Sequence, residues 1–87
     1  MNKAEYIKSM KNFKSDARLY ELEVPLEGYS HVIVSKIENA PDTGEGETYI
    51  FGYDLEDDYV NWSELPGSTK GDYSHEEVLE DAGYTVV

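Results

Sequence analysis

The residues best suited to chemistry lie in one stretch, ETYIFGYDLEDDYVNWSEL, which spans positions 47–65. Within it, residues 54–58 supply four carboxylates, and the stretch also contains three tyrosines and the only tryptophan of the chain: Asp54, Glu56, Asp57, Asp58, Tyr49, Tyr53, Tyr59 and Trp62. Paired carboxylates can act as general acid and base, alternating oxygens can bind calcium, and an ordered acidic patch can dock on a basic partner. Each of these functions makes a different demand on the fold around the carboxylates.

Acid–base catalysis needs one carboxyl group in an apolar pocket that raises its pKa. The stretch instead predicts a hairpin with LEDD, residues 55–58, at its tip, where carboxylates are well solvated. The two histidines, His31 and His75, are isolated in sequence and belong to no serine–histidine–aspartate pattern. We therefore predict a protein that is not an enzyme.

Metal binding is also disfavoured. DTGEGE at 42–47 and DLEDD at 54–58 offer alternating oxygen ligands, as calcium accepts. Neither segment has the twelve-residue EF-hand spacing, with its glycine at the sixth position and its closing glutamate. The chain contains no cysteine, so thiolate ligands and disulfides are excluded. We expect no bound metal and no cofactor.

The net charge of the chain is −12, and it is unevenly distributed. Residues 1–18 hold most of the cations, and residues 19–87 hold only Lys36 and Lys70 beside most of the 19 acids. The strong negative charge of residues 19–87 repels nucleic acid and anionic membranes, and it steers the protein toward cationic partners. Solubility alone also explains many acidic surfaces, and that alternative stays open.

The chain has no run of about 18 apolar residues and no apolar signal-peptide core near residue 1. We expect a cytoplasmic protein.

The N-terminal segment NKAEYIKSMKNF, residues 2–13, predicts a basic amphipathic helix. Asn2 and Glu5 have the spacing of a capping box at its start. Lysines occupy one side of this helix, and the other side has the apolar residues Tyr6, Ile7, Met10 and Phe13. We expect the apolar side to pack on the rest of the domain.

Four runs behind this segment predict antiparallel strands. ARLYELEVPL at 17–26 alternates, which indicates one buried face, and HVIVSKI at 31–37 is typical of a central strand. ETYIFGYD at 47–54 and YVNW at 59–62 flank the LEDD turn. These runs predict an antiparallel β-meander of about four strands.

SHEEVLEDAGY predicts a short helix near the C-terminus. Ser74 and Glu77 form a second capping box, and Gly83 can supply the left-handed residue that ends a helix. YTVV can then add a short strand.

The predicted fold class is thus α+β, an antiparallel β-meander with an N-terminal helix and a short C-terminal helix followed by a short strand. We predict a single domain over 1–87, with a basic helical segment at 1–16 and an acidic body at 17–87.

The C-terminal half resembles a family of small uncharacterised proteins from bacteriophages and prophages. The matching residues are ETYIF at 47–51, Asp54, WSELPGS at 62–68, Gly71, HEE at 75–77 and AGY at 82–84. The resemblance implies a phage origin and expression inside an infected bacterium. It implies no activity.

Protein binding is the function that the sequence favours. An ordered set of carboxylates can imitate the phosphates of a nucleic acid and occupy a basic channel, with aromatic side chains as anchors. The partner-binding residues are predicted to be Glu45, Glu47, Asp54, Glu56, Asp57, Asp58 and Tyr59. We expect no direct contact with nucleic acid or membrane, and a basic host protein as partner.

The predicted role is to inhibit or modulate a host protein of nucleic-acid handling or defence. The alternative is a small structural or accessory phage protein that forms homo-oligomers through a sheet edge or the N-terminal helix, with its acidity serving solubility only.

Overall fold

The computed structural model describes residues 2–10, 16–37, 47–64 and 73–87, apart from the side chains of residues 37 and 62–64. Its elements are β1 (Asn2–Ser9), β2 (Asp16–Leu26), β3 (Tyr29–Ile37), β4 (Glu47–Asp54), β5 (Tyr59–Glu64), α1 (His75–Asp81) and β6 (Tyr84–Val86). The strands form one sheet in the order β5-β4-β3-β2-β1-β6. Neighbouring strands from β1 to β5 are antiparallel, and β6 pairs parallel with β1. The sheet curls into a half-barrel.

The predicted α+β class is wrong, because the described residues are mainly β and the N-terminal segment is a strand. Ala4 pairs with Leu22 and is fully buried in the core. The register shifts between Tyr6 and Lys8, where β1 has one residue more than its partner strand. The adjacent apolar residues Tyr6 and Ile7 lie at this bulge. Because they are adjacent, they break the alternation expected of a strand and resemble the spacing of an amphipathic helix. Of the separate helical segment predicted at 1–16, residues Asn2–Ser9 are therefore an integral strand of the sheet, and residues 1 and 11–15 lie outside the described residues.

The core lies on both faces of the sheet. The face covered by α1 holds Ala4, Tyr20, Leu22, Val32, Val34, Ile50, Val78, Leu79 and Tyr84. The opposite face holds a smaller cluster, Ala17, Leu19, Ile33 and Tyr53, with Met10 and Val60 at its margin. The central position predicted for β3 is confirmed by the full burial of Val32, Ile33 and Val34. The single buried face predicted for β2 is wrong, because Ala17 and Leu19 are also buried.

The predicted C-terminal helix is confirmed. The Ser74 side chain accepts a hydrogen bond from the Glu77 backbone N–H, and the Glu77 carboxylate accepts one from the Ser74 N–H. Gly83 has a φ of 100°, which an L side chain rarely adopts, so glycine is required where the helix ends. Tyr84 then starts β6 and is buried.

Gly52 is required in the middle of β4 because the ring of Tyr29 occupies the space above it. A Cβ atom at Gly52 would lie 2.5 Å from Cδ2 and 2.7 Å from Cγ of Tyr29. The Tyr29 hydroxyl accepts a hydrogen bond from Asn61 Nδ2 at 3.0 Å, so this side chain ties β3 to β5 across β4.

We expect Gly52→Ala to lower the free energy of unfolding by about 1–3 kcal/mol, the usual cost of overpacking. Urea unfolding measures this change. In a Tyr29→Ala background the same substitution should cost less, because the clashing ring is absent. A Gly52→Ala protein as stable as the original would contradict the packing of Tyr29 on β4.

Stability should fall at alkaline pH because buried tyrosines must ionise on unfolding. Burial raises the pKa of Tyr84, whose hydroxyl donates to the Val24 carbonyl oxygen at 2.6 Å, and burial likewise raises the pKa of Tyr20. A raised pKa favours the protonated form in the folded state. The stability that each raised pKa contributes is fully present below the unfolded-chain pKa of about 10. It is lost as pH rises toward the pKa of the folded state.

We expect Tyr84→Phe to cost about 1 kcal/mol at neutral pH, for one lost hydrogen bond, and to make the alkaline decline shallower. Urea unfolding at pH 7 and at about pH 11 gives both quantities. Tyr59→Phe is the matched control, since Tyr59 is 60% exposed and should leave both unchanged.

Candidate functional site

Two turns lie side by side at one end of the sheet. The β2–β3 turn is formed by Glu27 and Gly28, and the β4–β5 turn by residues 55–58. Alternate turns of an antiparallel meander fall at the same end, so the order β2-β3-β4-β5 brings these two together. We call the surface formed by residues 27–31 and 53–59 the hairpin end.

A cleft of about 360 Å³ opens between the two turns. It is lined by Gly28, Tyr29, Ser30, His31, Tyr53, Asp54, Leu55 and Glu56. The lining residues include three that bear rings and two that bear carboxylates. Tyr29 packs against the larger core cluster, and Tyr53, which is 6% exposed, belongs to the cluster on the opposite face.

Hydrogen bonds hold each of the three rings in place. Tyr29 is fixed by Asn61, and the Tyr53 hydroxyl donates to a carboxylate oxygen of Asp58. This bond raises the pKa of Tyr53, because loss of the proton would set two negative charges against each other. His31 lies with Nδ1 3.1 Å from Ser30 Oγ and Nε2 3.4 Å from a carboxylate oxygen of Glu21.

The four acids of the β4–β5 turn have two different roles. Asp54 Oδ1 accepts hydrogen bonds from the backbone N–H groups of Glu56 at 3.0 Å and Asp57 at 3.3 Å, which closes an Asx turn. Asp58 has a φ of 50° and accepts the Tyr53 hydrogen bond. The side chains of Glu56 and Asp57 are exposed and make no hydrogen bond or ion pair within the described part of the chain. Two carboxylates thus build the turn, and two are displayed by it.

The structure brings five of the predicted partner-binding residues together at the hairpin end: Asp54, Glu56, Asp57, Asp58 and Tyr59. Tyr59 pairs with Asp54 and is 60% exposed. Glu47 begins β4, at the other end of the sheet, and its carboxylate accepts a hydrogen bond from Tyr49. Glu45 lies outside the described residues. The structure therefore does not place Glu47 with the rest.

The predicted set omitted the residues of the neighbouring turn. Glu27, Tyr29 and His31 belong to the hairpin end as much as Asp54 does. The signal that would have found them is the EGYS turn at 27–30, because two turns separated by two strands of a meander share an end. Glu21 joins them through its contact with His31.

The second histidine has a structural role. His75 is 3% exposed, and its Nε2 lies 2.8 Å from the backbone oxygen of Asp16, which ties the start of α1 to β2. Arg18 contacts Asp16 and Glu76 at 3.7 Å and 3.6 Å and strengthens the same junction. This cluster therefore joins helix to sheet.

Catalytic and metal chemistry find no support at the hairpin end. Within the described residues, no group of three or more histidine or acidic side chains is arranged to hold a metal ion. The side chains of Glu56, Asp57 and Asp58 are exposed, whereas a general acid needs apolar surroundings. What the arrangement can do is present negative charge on a turn whose backbone is held by hydrogen bonds.

Comparison with known proteins found no matching family model, no matching curated protein and no matching solved structure. The resemblance to phage proteins stays a prediction. In the part of the chain that the structure describes, no helix has the length and apolar character needed to cross a membrane.

Proposed function

We propose that this is a phage-encoded, non-enzymatic binding protein that docks its hairpin end on the basic surface of a host protein. The partner handles nucleic acid or serves in defence, and docking in the bacterial cytoplasm inhibits or modulates it. The observation that carries the proposal is the fixed display of Glu56 and Asp57 on a turn built by Asp54 and Asp58.

Fixed display matters because binding is weakened by every group that must be ordered in the complex. The Asx turn and the Tyr53–Asp58 hydrogen bond already order the backbone that bears the displayed carboxylates. Arginines of a nucleic-acid-binding surface can meet such carboxylates in bidentate pairs, as they meet phosphates. The negative field also speeds association with a basic partner.

The distribution of the described cations supports the same surface. Lys3 and Lys8 lie on β1, and Arg18 is engaged by Asp16 and Glu76. Residues 27–31 and 53–59 contain no lysine or arginine. The hairpin end therefore carries negative charge that no neighbouring cation within it offsets.

Salt sensitivity tests this function. Bead-linked protein should capture a basic protein from nuclease-treated bacterial lysate at about 0.1 M salt and release it at about 0.5 M, because the Debye length falls well below 10 Å. Added double-stranded DNA should compete for the captured protein, since both ligands use its basic surface. Capture that survives high salt and ignores DNA would contradict the proposal.

Self-association remains the second candidate function, and a sheet edge is the one route left for it. The N-terminal helix that could have mediated it is β1, which lies inside the sheet between β2 and β6. β5 lies at one edge, and its first residue, Tyr59, is exposed. Light scattering of the purified chain separates the two, because the docking function works as a monomer and the alternative requires a stable oligomer.

A further inference from the structure

Leu55 is an exposed apolar residue within an acidic surface. It is 57% exposed, and together with Gly28 it lines the cleft between the two turns. Acidic residues of both turns lie near it, since Glu56 follows it in the sequence and Glu27 precedes Gly28. Leu55 is therefore the apolar residue of the hairpin end that lies where its two turns meet.

The fold does not require leucine at this position. The Asp54 side chain closes the turn by accepting the N–H groups of Glu56 and Asp57. The residue with positive φ in this turn is Asp58. Turns mostly use glycine, proline or short polar residues, so leucine is an unusual choice here. Neither feature of the turn depends on the Leu55 side chain.

Carboxylates on a surface need water to be excluded around them before they contribute much affinity. Exposed ion pairs contribute little, because water and salt screen them. Interfaces exclude water by surrounding a central buried side chain with a ring of weaker contacts. Leu55 has the position for such a centre, because the displayed residues Glu56 and Asp57 follow it directly.

The charge around Leu55 indicates what covers it. A single exposed leucine is common on protein surfaces, but residues 27–31 and 53–59 contain no lysine or arginine. A complementary surface must therefore be basic, and one that pairs with Glu56 and Asp57 also covers the residue before them. We propose that Leu55 enters an apolar depression bordered by lysine or arginine side chains on the partner protein, an inference that rests on the proposed function.

Isothermal titration calorimetry of the full chain with the captured protein, purified from lysate, tests the inference. We expect Leu55→Ala to raise the Kd about tenfold, which is what burying the exposed part of one leucine contributes. The factor should be the same at about 0.1 M and about 0.2 M salt, because salt does not screen an apolar contact. The loss caused by Glu56→Gln should shrink as salt rises. An unchanged Kd for Leu55→Ala, or a loss that shrinks with salt in the same way, would overturn the inference.

Two further variants show whether the effect belongs to this apolar contact. Leu55→Met keeps the volume and the apolar character, so it should bind within about twofold of the original chain. Ile7→Ala removes an apolar side chain of similar exposure, 46%, from β1 and should leave the Kd unchanged. Equal losses in Leu55→Ala and Ile7→Ala would also overturn the inference. Urea unfolding of Leu55→Ala should match that of the original chain, since exposed side chains contribute little to stability.

The charge-reversal variant distinguishes failure of this inference from failure of the proposed function. If Glu56→Lys with Asp57→Lys abolishes binding while Leu55→Ala binds as the original chain does, the apolar centre is wrong and the docking face stands. If that double variant still binds the captured protein, the docking face is wrong and the inference falls with it. If the original chain captures nothing from lysate at about 0.1 M salt, both are wrong.

Discussion

Reversing the charge of Glu56 and Asp57 to lysine should abolish capture of the basic partner and leave the fold intact. Losing one member of a close interfacial charge pair costs about 2 kcal/mol at the low end, so two such losses weaken binding about 1,000-fold. The fold should survive because both side chains are exposed, and their backbone N–H groups still donate to Asp54. Capture from lysate measures the first effect, and urea unfolding measures the second.

A matched double variant, Glu80→Lys with Asp81→Lys, tests whether capture depends on the position of the acidic residues or on the net charge of the protein. It changes the net charge by the same amount at the end of α1, which leads into β6 at the opposite edge of the sheet from β5. Lysine there also complements the helix dipole, since the last turn has no basic residue. We expect nearly full capture, and equal loss in both double variants would show that total charge matters and the hairpin end does not.

Asp58 is a poor choice for charge reversal even though it belongs to the same acidic turn. It accepts the Tyr53 hydrogen bond and has a positive φ, which aspartate tolerates better than lysine does. Reversal there would mix loss of binding with loss of the turn. Sequence alone made the four acids equivalent, and only the hydrogen bonds separate those that build the turn from those that are displayed.

The elements that could be predicted are those specified by neighbouring residues. The bounds of β4, the turn at 55–58 and the capping box at Ser74 follow from alternation, turn chemistry and cap spacing within about ten residues. β1 was missed because its bulge hides the alternation, and because its stability comes from pairing with β2 and β6, which are distant in sequence.

The cleft could not be predicted, because it depends on contacts across three strands. Tyr29 of β3 reaches over Gly52 of β4 to Asn61 of β5, and nothing near Tyr29 in sequence signals that path. A glycine inside a strand did give a hint, since it often marks the close approach of another group. The glycine indicates where another group comes close to the strand, but it does not indicate which residue supplies that group.

Leu79→Ala should produce the largest loss of stability among simple substitutions in α1. A helix of seven residues is not stable alone in water, so α1 depends on packing its buried side chains against the sheet. Leu79 is fully buried within the larger core cluster, and large-to-small changes of this kind cost about 2–5 kcal/mol. A chain of 87 residues has a free energy of unfolding of roughly 4–13 kcal/mol, so Leu79→Ala would remove much of that stability.

Glu80→Ala is the control, because it lies next to Leu79 on the same helix and is exposed. It should change the free energy of unfolding by less than about 0.5 kcal/mol, as surface substitutions do. Urea unfolding followed by circular dichroism compares the two variants directly. If Leu79→Ala were no more destabilised than Glu80→Ala, α1 would not pack on the sheet, and the buried cluster of Tyr20, Val34 and Ile50 would need another cover.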